Sequence, residues 1–105
     1  MVNKITLEGR VSSDLKVFNF DEQNKLVKFN FEHMFEDETK TGSKYSTKHS
    51  YVIDAWNELG DSVKVNCRKG SKLFIEGRLR KNFFKTNKKK SIQYVSIELS
   101  EFKFV

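Results

Sequence analysis

The spacing of its apolar residues constrains this chain more than any other feature. Ile5, Leu7, Gly9 and Val11 alternate with Lys4, Thr6, Glu8 and Arg10. The same period of two returns in Val27, Phe29 and Phe31, in Tyr51, Ile53 and Ala55, in Leu73, Ile75, Gly77 and Leu79, and in Val95, Ile97 and Leu99. Residues two apart share one face of an extended chain, so each stretch reads as a half-buried strand. Val17 to Phe20 reads as an extension of the first. One segment departs from the rule. Leu59, Val63 and Cys67 recur at every fourth position, Asn57 stands where an N-cap is wanted and Gly70 lies past the end, which predicts a short helix.

The order is therefore strand, strand, strand, helix, strand, strand. Among small closed all-β architectures, one short helix between strands 3 and 4 marks the five-stranded OB-fold barrel, whereas a sandwich would want more strands and no such helix. The 105 residues fit a single domain, 1–105, with no Pro-rich or Ser-rich linker to divide them. The polar run "EDETKTGSKYSTK", Glu36 to Lys48, is expected to loop between strands 2 and 3, and Phe84 to Ser91 between strands 4 and 5.

Charge narrows the function. Lys64 to Lys90 holds eleven Lys or Arg against the single acid Glu76, while the remainder, with nine bases and thirteen acids, is net acidic. Such segregation within a net charge of +6 is an electrostatic footprint for an anionic partner. Enzyme chemistry has no foothold. Cys67 is the only cysteine and reads as a buried structural residue, which excludes an internal disulfide or a thiolate zinc site. His33 and His49 lack ligand spacing, and no P-loop pattern occurs. Glu36, Asp37 and Glu38 are adjacent and exposed, which suits neither an acid–base pair nor a metal cage. No cofactor or metal is expected. Neither a signal peptide nor an eighteen-residue apolar span is present, so the expected location is cytoplasmic, at the nucleoid, with no membrane partner.

With the inward parity already apolar, the informative aromatics are those on the other parity. Trp56 shares a face with Val52 and Asp54, and Asp54 marks that face as the wet one. Phe74 lies with Glu76, Arg78 and Arg80, and Tyr94 with Ser96 and Glu98. Phe35 and Phe84 stand where strands run into the two long loops. In "LFIEGRLRKNFFKTNKKK", Leu73, Ile75 and Leu79 close the barrel and Gly77 admits a neighbouring backbone. Arg78, Arg80 and Lys81 line the outer face, and Lys85, Lys88, Lys89 and Lys90 carry the charge onward; Arg10 is a further candidate cation. Each base stacked on such a ring contributes about 1–3 kcal/mol, while Lys and Arg neutralise the phosphates between. A duplex hides its base faces, so the pattern points to single-stranded nucleic acid. For Phe74 and Tyr94, a subunit interface is an equal alternative.

"VNKITLEGRV" at the start, "RKGSKLFIEGRLR" from Arg68 to Arg80 and the placement of Phe84 resemble the OB domain of bacterial single-stranded DNA-binding proteins, over nearly the whole chain. The resemblance implies a homotetramer, or sometimes a dimer, with single-stranded DNA wound over aromatic platforms and basic grooves in replication, recombination or repair. It places stacking aromatics at Trp56, Phe84 and Phe35. Where that family usually carries a Trp near the start of strand 3, Ser50 stands here, which implies weaker binding or a smaller site. The family's flexible linker and acidic tip, which recruit replication and repair proteins, are not seen after the last strand, and a tailless or specialised relative is the expectation. "FNFEH" in strand 2 shares something with the tailless replication-restart proteins of the primosome. Two other readings therefore stand beside DNA binding: a restart adaptor acting mainly through protein contacts, and an RNA-binding OB domain that reads the 2′-hydroxyl.

Overall fold

The computed structural model describes residues 1–85 and 90–105, with Phe84 and Lys85 described by their backbone alone. The alternating stretches form β1 (Ile5–Val11), β2 (Lys16–Asn19), β3 (Lys25–Glu38), β4 (Lys44–Trp56), β5 (Lys72–Lys85) and β6 (Ser91–Phe104), with one helix, α1 (Asn57–Asn66). The sheet order is β1-β5-β6-β4-β3-β2. A further pairing, Arg10 opposite Glu32 and Val11 opposite Phe31, joins β1 to β3 and closes five of the strands into a barrel. Every neighbouring pair is antiparallel except β4 and β6. A parallel pair needs a long crossover, which α1 and β5 supply.

A mostly β closed barrel with one short helix is consistent with an OB fold, but in chain order the helix lies between β4 and β5, not between the third and fourth strands. The difference comes from Lys16–Asn19. Instead of lengthening β1, this segment is a separate strand paired antiparallel with β3, outside the barrel. Ser12 and Ser13 make the break: the Ser12 N–H donates to the Asn30 carbonyl and Ser13 Oγ accepts the Asn30 N–H, both at 2.8 Å. The chain is thereby turned back along β3.

The inward parity fills the barrel as its period requires. Val11, Val27, Phe29, Phe31, Ile53, Ala55, Leu73, Ile75, Ile97 and Leu99 form one core with Val63 and Cys67 of the helical segment. Each large apolar side chain so buried stabilises the fold by about 1.5–3 kcal/mol. Gly77 has the role its sequence position suggested. A Cβ there would run into the Glu98 carbonyl oxygen of β6, and one at Gly9 into that of Glu32. The helix start differs from expectation, because Asn57 adopts φ +53 and its Oδ1 accepts the Lys25 N–H at 2.9 Å. Trp56 occupies the cap position and makes no side-chain cap bond.

Pairing also runs further than the polar loops suggested. β3 and β4 stay in register out to Glu38 opposite Lys44, so most of Glu36–Lys48 is ladder, and the turn is Thr39–Ser43 with Gly42 at φ +87. β5 and β6 remain paired out to Lys85 opposite Ser91. Both ribbons outrun the barrel, so the inward parity has nothing left to pack on at their ends. Val95, opposite Lys81, is exposed, and Leu79, expected to close the barrel, lies opposite the buried Ile97 yet is 45% exposed, because the β1 ladder beside β5 ends at Ile5 opposite Gly77. The arms stretch the molecule to 55 × 38 × 31 Å, with a radius of gyration of 15.8 Å against about 13 Å for a compact chain of this length.

Candidate nucleic-acid interface

Residues directly opposite each other in a sheet share a face, so the register assembles the outer surface row by row. The first row is Phe18, Leu26 and Trp56, across β2, β3 and β4. The second is Lys16, Lys28, Asp54, Glu98 and Arg78, and the third Asn30, Val52, Ser96 and Arg80. Tyr94 and Asn82 face one another one step beyond, at the base of the β5–β6 arm.

The Trp56 end is aromatic. Phe20 lies over Trp56 with ring centroids 6.0 Å apart and planes 27° from parallel, and Phe18 follows at 6.4 Å and 12°. The two flanks of this cluster differ in charge. Toward the barrel lies a groove whose charged lining is Lys16, Lys28 and Lys69 against the acid Asp14. On the helix side, the hollow around Trp56 carries Glu22, Glu58 and Asp61 against the base Lys25. Phosphates are attracted on the first flank and repelled on the second.

The centre of the face is not the wet surface that Asp54 was expected to mark. Asp54 is only 4% exposed and sits under a polar network drawn from four strands. Lys28 Nζ lies 3.1 Å from its Oδ1, Ser96 Oγ donates to its Oδ2 at 2.9 Å, and Asn82 Nδ2 donates to Ser96 Oγ at 2.8 Å. Oδ1 has no hydrogen bond from any other described group and depends on the Lys28 charge. Lys28 also donates to the Tyr94 hydroxyl at 3.4 Å, with its ammonium 5.3 Å from the centre of that ring. Burial works to lower the Lys28 pKa, but the Asp54 carboxylate and the Tyr94 hydroxyl outweigh it and hold the pKa above the usual lysine value. Parity identified the outward side correctly. It could not show that side chains from other strands would cover Asp54.

The structure gathers some of the expected residues and separates others. Trp56 and Tyr94 belong to the face just described, as do Arg78 and Arg80, whose guanidinium groups both meet Glu98, at 3.0 and 3.6 Å. Lys81 does not line that face. It sits on the opposite parity from Arg80, facing Val95. Arg10 lies at the β1–β3 seam, 3.4 Å from Glu32, roughly 20 Å further along β3 than Leu26. Phe74 packs far down β5, opposite Glu8 and Lys103, with the Lys103 ammonium 5.9 Å from its ring centre. Phe35 is exposed on the β3–β4 arm, on the other parity from Trp56, and its ring lies 5.7 Å from that of His49. The backbone of Phe84 pairs with Ile92 and that of Lys85 with Ser91. The roles given to their side chains, and to Lys88 and Lys89, lie outside the described residues, while Lys90 is exposed. Phe18, Phe20, Lys16 and Lys28 were missed. The signal was "KVFNF", whose alternating Phe18 and Phe20 share the Trp56 face once β2 is folded back onto β3.

A five-stranded closed barrel with outward aromatic rings beside cations defines the class of small oligonucleotide-binding barrels. Residues 2–105 match the model of the Single-strand binding protein family, and the chain belongs to that family. Among solved structures, the Plasmodium falciparum SSB complex with ssDNA superposes at a TM-score of 0.88 with 23% identity, covering 100% of this chain and 96% of that one. The single-stranded DNA binding protein from Thermus aquaticus, as a deletion mutant, gives a TM-score of 0.85 at 13% identity. That match covers 99% of this chain and 50% of the Thermus chain, so the protein spans about half the length of that relative. Both likenesses establish the fold. No curated protein matches the chain by sequence. Among the described residues, no helix is long and apolar enough to cross a membrane.

Proposed function

We propose that this protein binds and protects single-stranded DNA without strong sequence preference, in replication, recombination or repair. The observation that carries the reading is family membership over residues 2–105. The outer face agrees with it chemically: Trp56 is a stacking plane, Tyr94 a second, and Lys16, Lys69, Arg78 and Arg80 are cations within reach of phosphates. The contacts expected from the sequence for Phe84, Lys85, Lys88 and Lys89 belong to the same reading, while Lys81 lies on the opposite face of β5 from Arg80. Phe35, Phe74 and Arg10 lie off the main track and serve either a second pass of the strand or a subunit contact. The activity requires no bond making or breaking.

The functional unit in this reading is a homo-oligomer, a tetramer or alternatively a dimer. Supporting it, the outer edge of β1 from Ile5 to Gly9 has no strand beside it among the described residues, only the His33 ring nitrogen 2.8 Å from the Glu8 carbonyl, and an open edge invites a second strand. Sedimentation analysis tests this, since a monomer at micromolar concentration would refute it.

The central test is a titration of Trp56 fluorescence with oligo-dT, duplex DNA and oligo-U at two salt concentrations. Strong quenching by oligo-dT, weaker quenching by the others and a steep salt dependence are expected. Quenching by oligo-U above oligo-dT would transfer the reading to RNA. No response to any nucleic acid, with no binding in a filter assay, would leave the protein-adaptor reading in its place.

A further inference from the structure

We infer that the β2 hairpin is itself a base-binding element, in which Phe18 and Phe20 receive unpaired bases in series with Trp56. This inference rests on the single-stranded DNA reading and adds to it a site that neither the sequence motifs nor the expected platforms contain. Three observations carry it. The first is exposure: Phe20 is 61% and Phe18 40% exposed, and every residue of β2 is open to solvent. Rings that served only to pin the hairpin would be covered by what they pin. The second is orientation, because Phe18 lies 12° from the plane of Phe20 and Phe20 27° from that of Trp56, so the three rings present roughly parallel faces.

The third is the arrangement of charge. Lys16, two residues before Phe18 and on the same face, opens onto the groove where Lys28 and Lys69 outnumber the acid Asp14. Acids predominate on the opposite flank, where Glu22, Glu58 and Asp61 outnumber Lys25. A strand whose bases lie on these rings is therefore steered to run its phosphates along the lysine side. The hairpin is built to hold its shape while exposed. Asp21 Oδ1 accepts the Gln23 and Asn24 N–H groups at 2.7 and 2.9 Å, and the Asn24 amide holds the same carboxylate at 3.1 and 3.0 Å. β2 pairs with β3 alone, so the rings can adjust to a base without disturbing the barrel.

The experiment compares the wild type with Phe20→Leu, Phe18→Leu and Phe20→Trp, since leucine keeps apolar bulk without a flat π-face and tryptophan restores one. Binding is read by the anisotropy of fluorescein-labelled oligo-dT, and of the same length with abasic sites, over a salt series. Each leucine variant is expected to weaken oligo-dT binding about 5- to 150-fold, equivalent to about 1–3 kcal/mol per stacked base. Its salt dependence should stay as in the wild type, because the phosphates contacted are unchanged. Phe20→Trp should bind as the wild type does, and the preference for oligo-dT over the abasic strand should shrink in the leucine variants. Leucine variants that fold and bind oligo-dT as tightly as the wild type overturn the inference while leaving the proposed function standing. A wild type that binds no single strand overturns both. If Phe20→Leu fails to fold, Phe18→Leu and Phe20→Trp decide the question.

Discussion

Replacing Lys28 by Met tests whether the face beneath the proposed DNA path is held together by one ion pair. The substitution keeps the aliphatic stem and removes the ammonium, so Asp54 Oδ1, 3.1 Å from Nζ in the wild type, loses the one group that compensates it among the described residues. Removing one member of a buried pair costs about 3–5 kcal/mol, because the remaining charge is stranded. The side chain of Lys28 retains 24% exposure against 6% for Asp54, so water offsets part of the loss and the lower end, about 3 kcal/mol, is expected. At about 4–8 °C per kcal/mol for a small domain, the melting temperature should fall by roughly 12–24 °C. Urea denaturation at neutral pH gives the free energy directly. Adding Asp54→Asn to the same chain should recover much of the loss, since a neutral amide is far less costly to bury. Titration adds an independent check. The folded pKa of Lys28 lies above its unfolded value of 10.5, so the contribution of the pair is complete below that value and is lost as pH rises through the folded pKa. The wild type should show that alkaline loss and Lys28→Met should not. A Lys28→Met protein within about 0.5 kcal/mol of the wild type would refute the reasoning, because that is the range of an ordinary surface substitution.

The remaining predictions are simpler. Gly77→Ala should unfold the protein or lower its melting temperature sharply, as its Cβ meets the Glu98 carbonyl, and circular dichroism across temperature reads this. Cys67 is buried and burial raises its thiol pKa, so a thiol reagent should label it slowly in buffer and rapidly in denaturant; fast native labelling would contradict its place in the core. Trp56→Ala should weaken oligo-dT binding about 5- to 150-fold in an anisotropy assay, the loss of one stacking plane. Arg80→Ala should reduce the slope of log affinity against log salt by about 0.7, as expected for one phosphate contact on a single strand, and an unchanged slope would remove Arg80 from the path.

What could be read from the chain was local. Alternation at Val27, Phe29 and Phe31 and at Leu73 and Ile75 identified the core faces, because a strand sends every second side chain to one side whatever lies around it. The fourfold spacing of Leu59, Val63 and Cys67 located the helix for the same reason, and the lysine-rich segment Lys64 to Lys90 declared an anionic partner. Periodicity is silent about where a strand stops having a barrel beside it. Leu79 keeps the core parity, opposite the buried Ile97, and is exposed, since the β1 ladder ends at Ile5 opposite Gly77 and leaves β5 without its other neighbour there. It is equally silent about what arrives from elsewhere in the chain. Asp54 is buried because Lys28 and Ser96, 26 and 42 positions distant, converge on its carboxylate from β3 and β6. Phe20 meets Trp56 only because Ser12 and Ser13 turn β2 back along β3. The sequence by itself determined the elements, their inner faces and the sign of the partner's charge. Barrel closure, the covered carboxylate and the aromatic series from Trp56 to Phe18 were decided by tertiary structure, because each depends on contacts between residues whose separation in sequence carries no period.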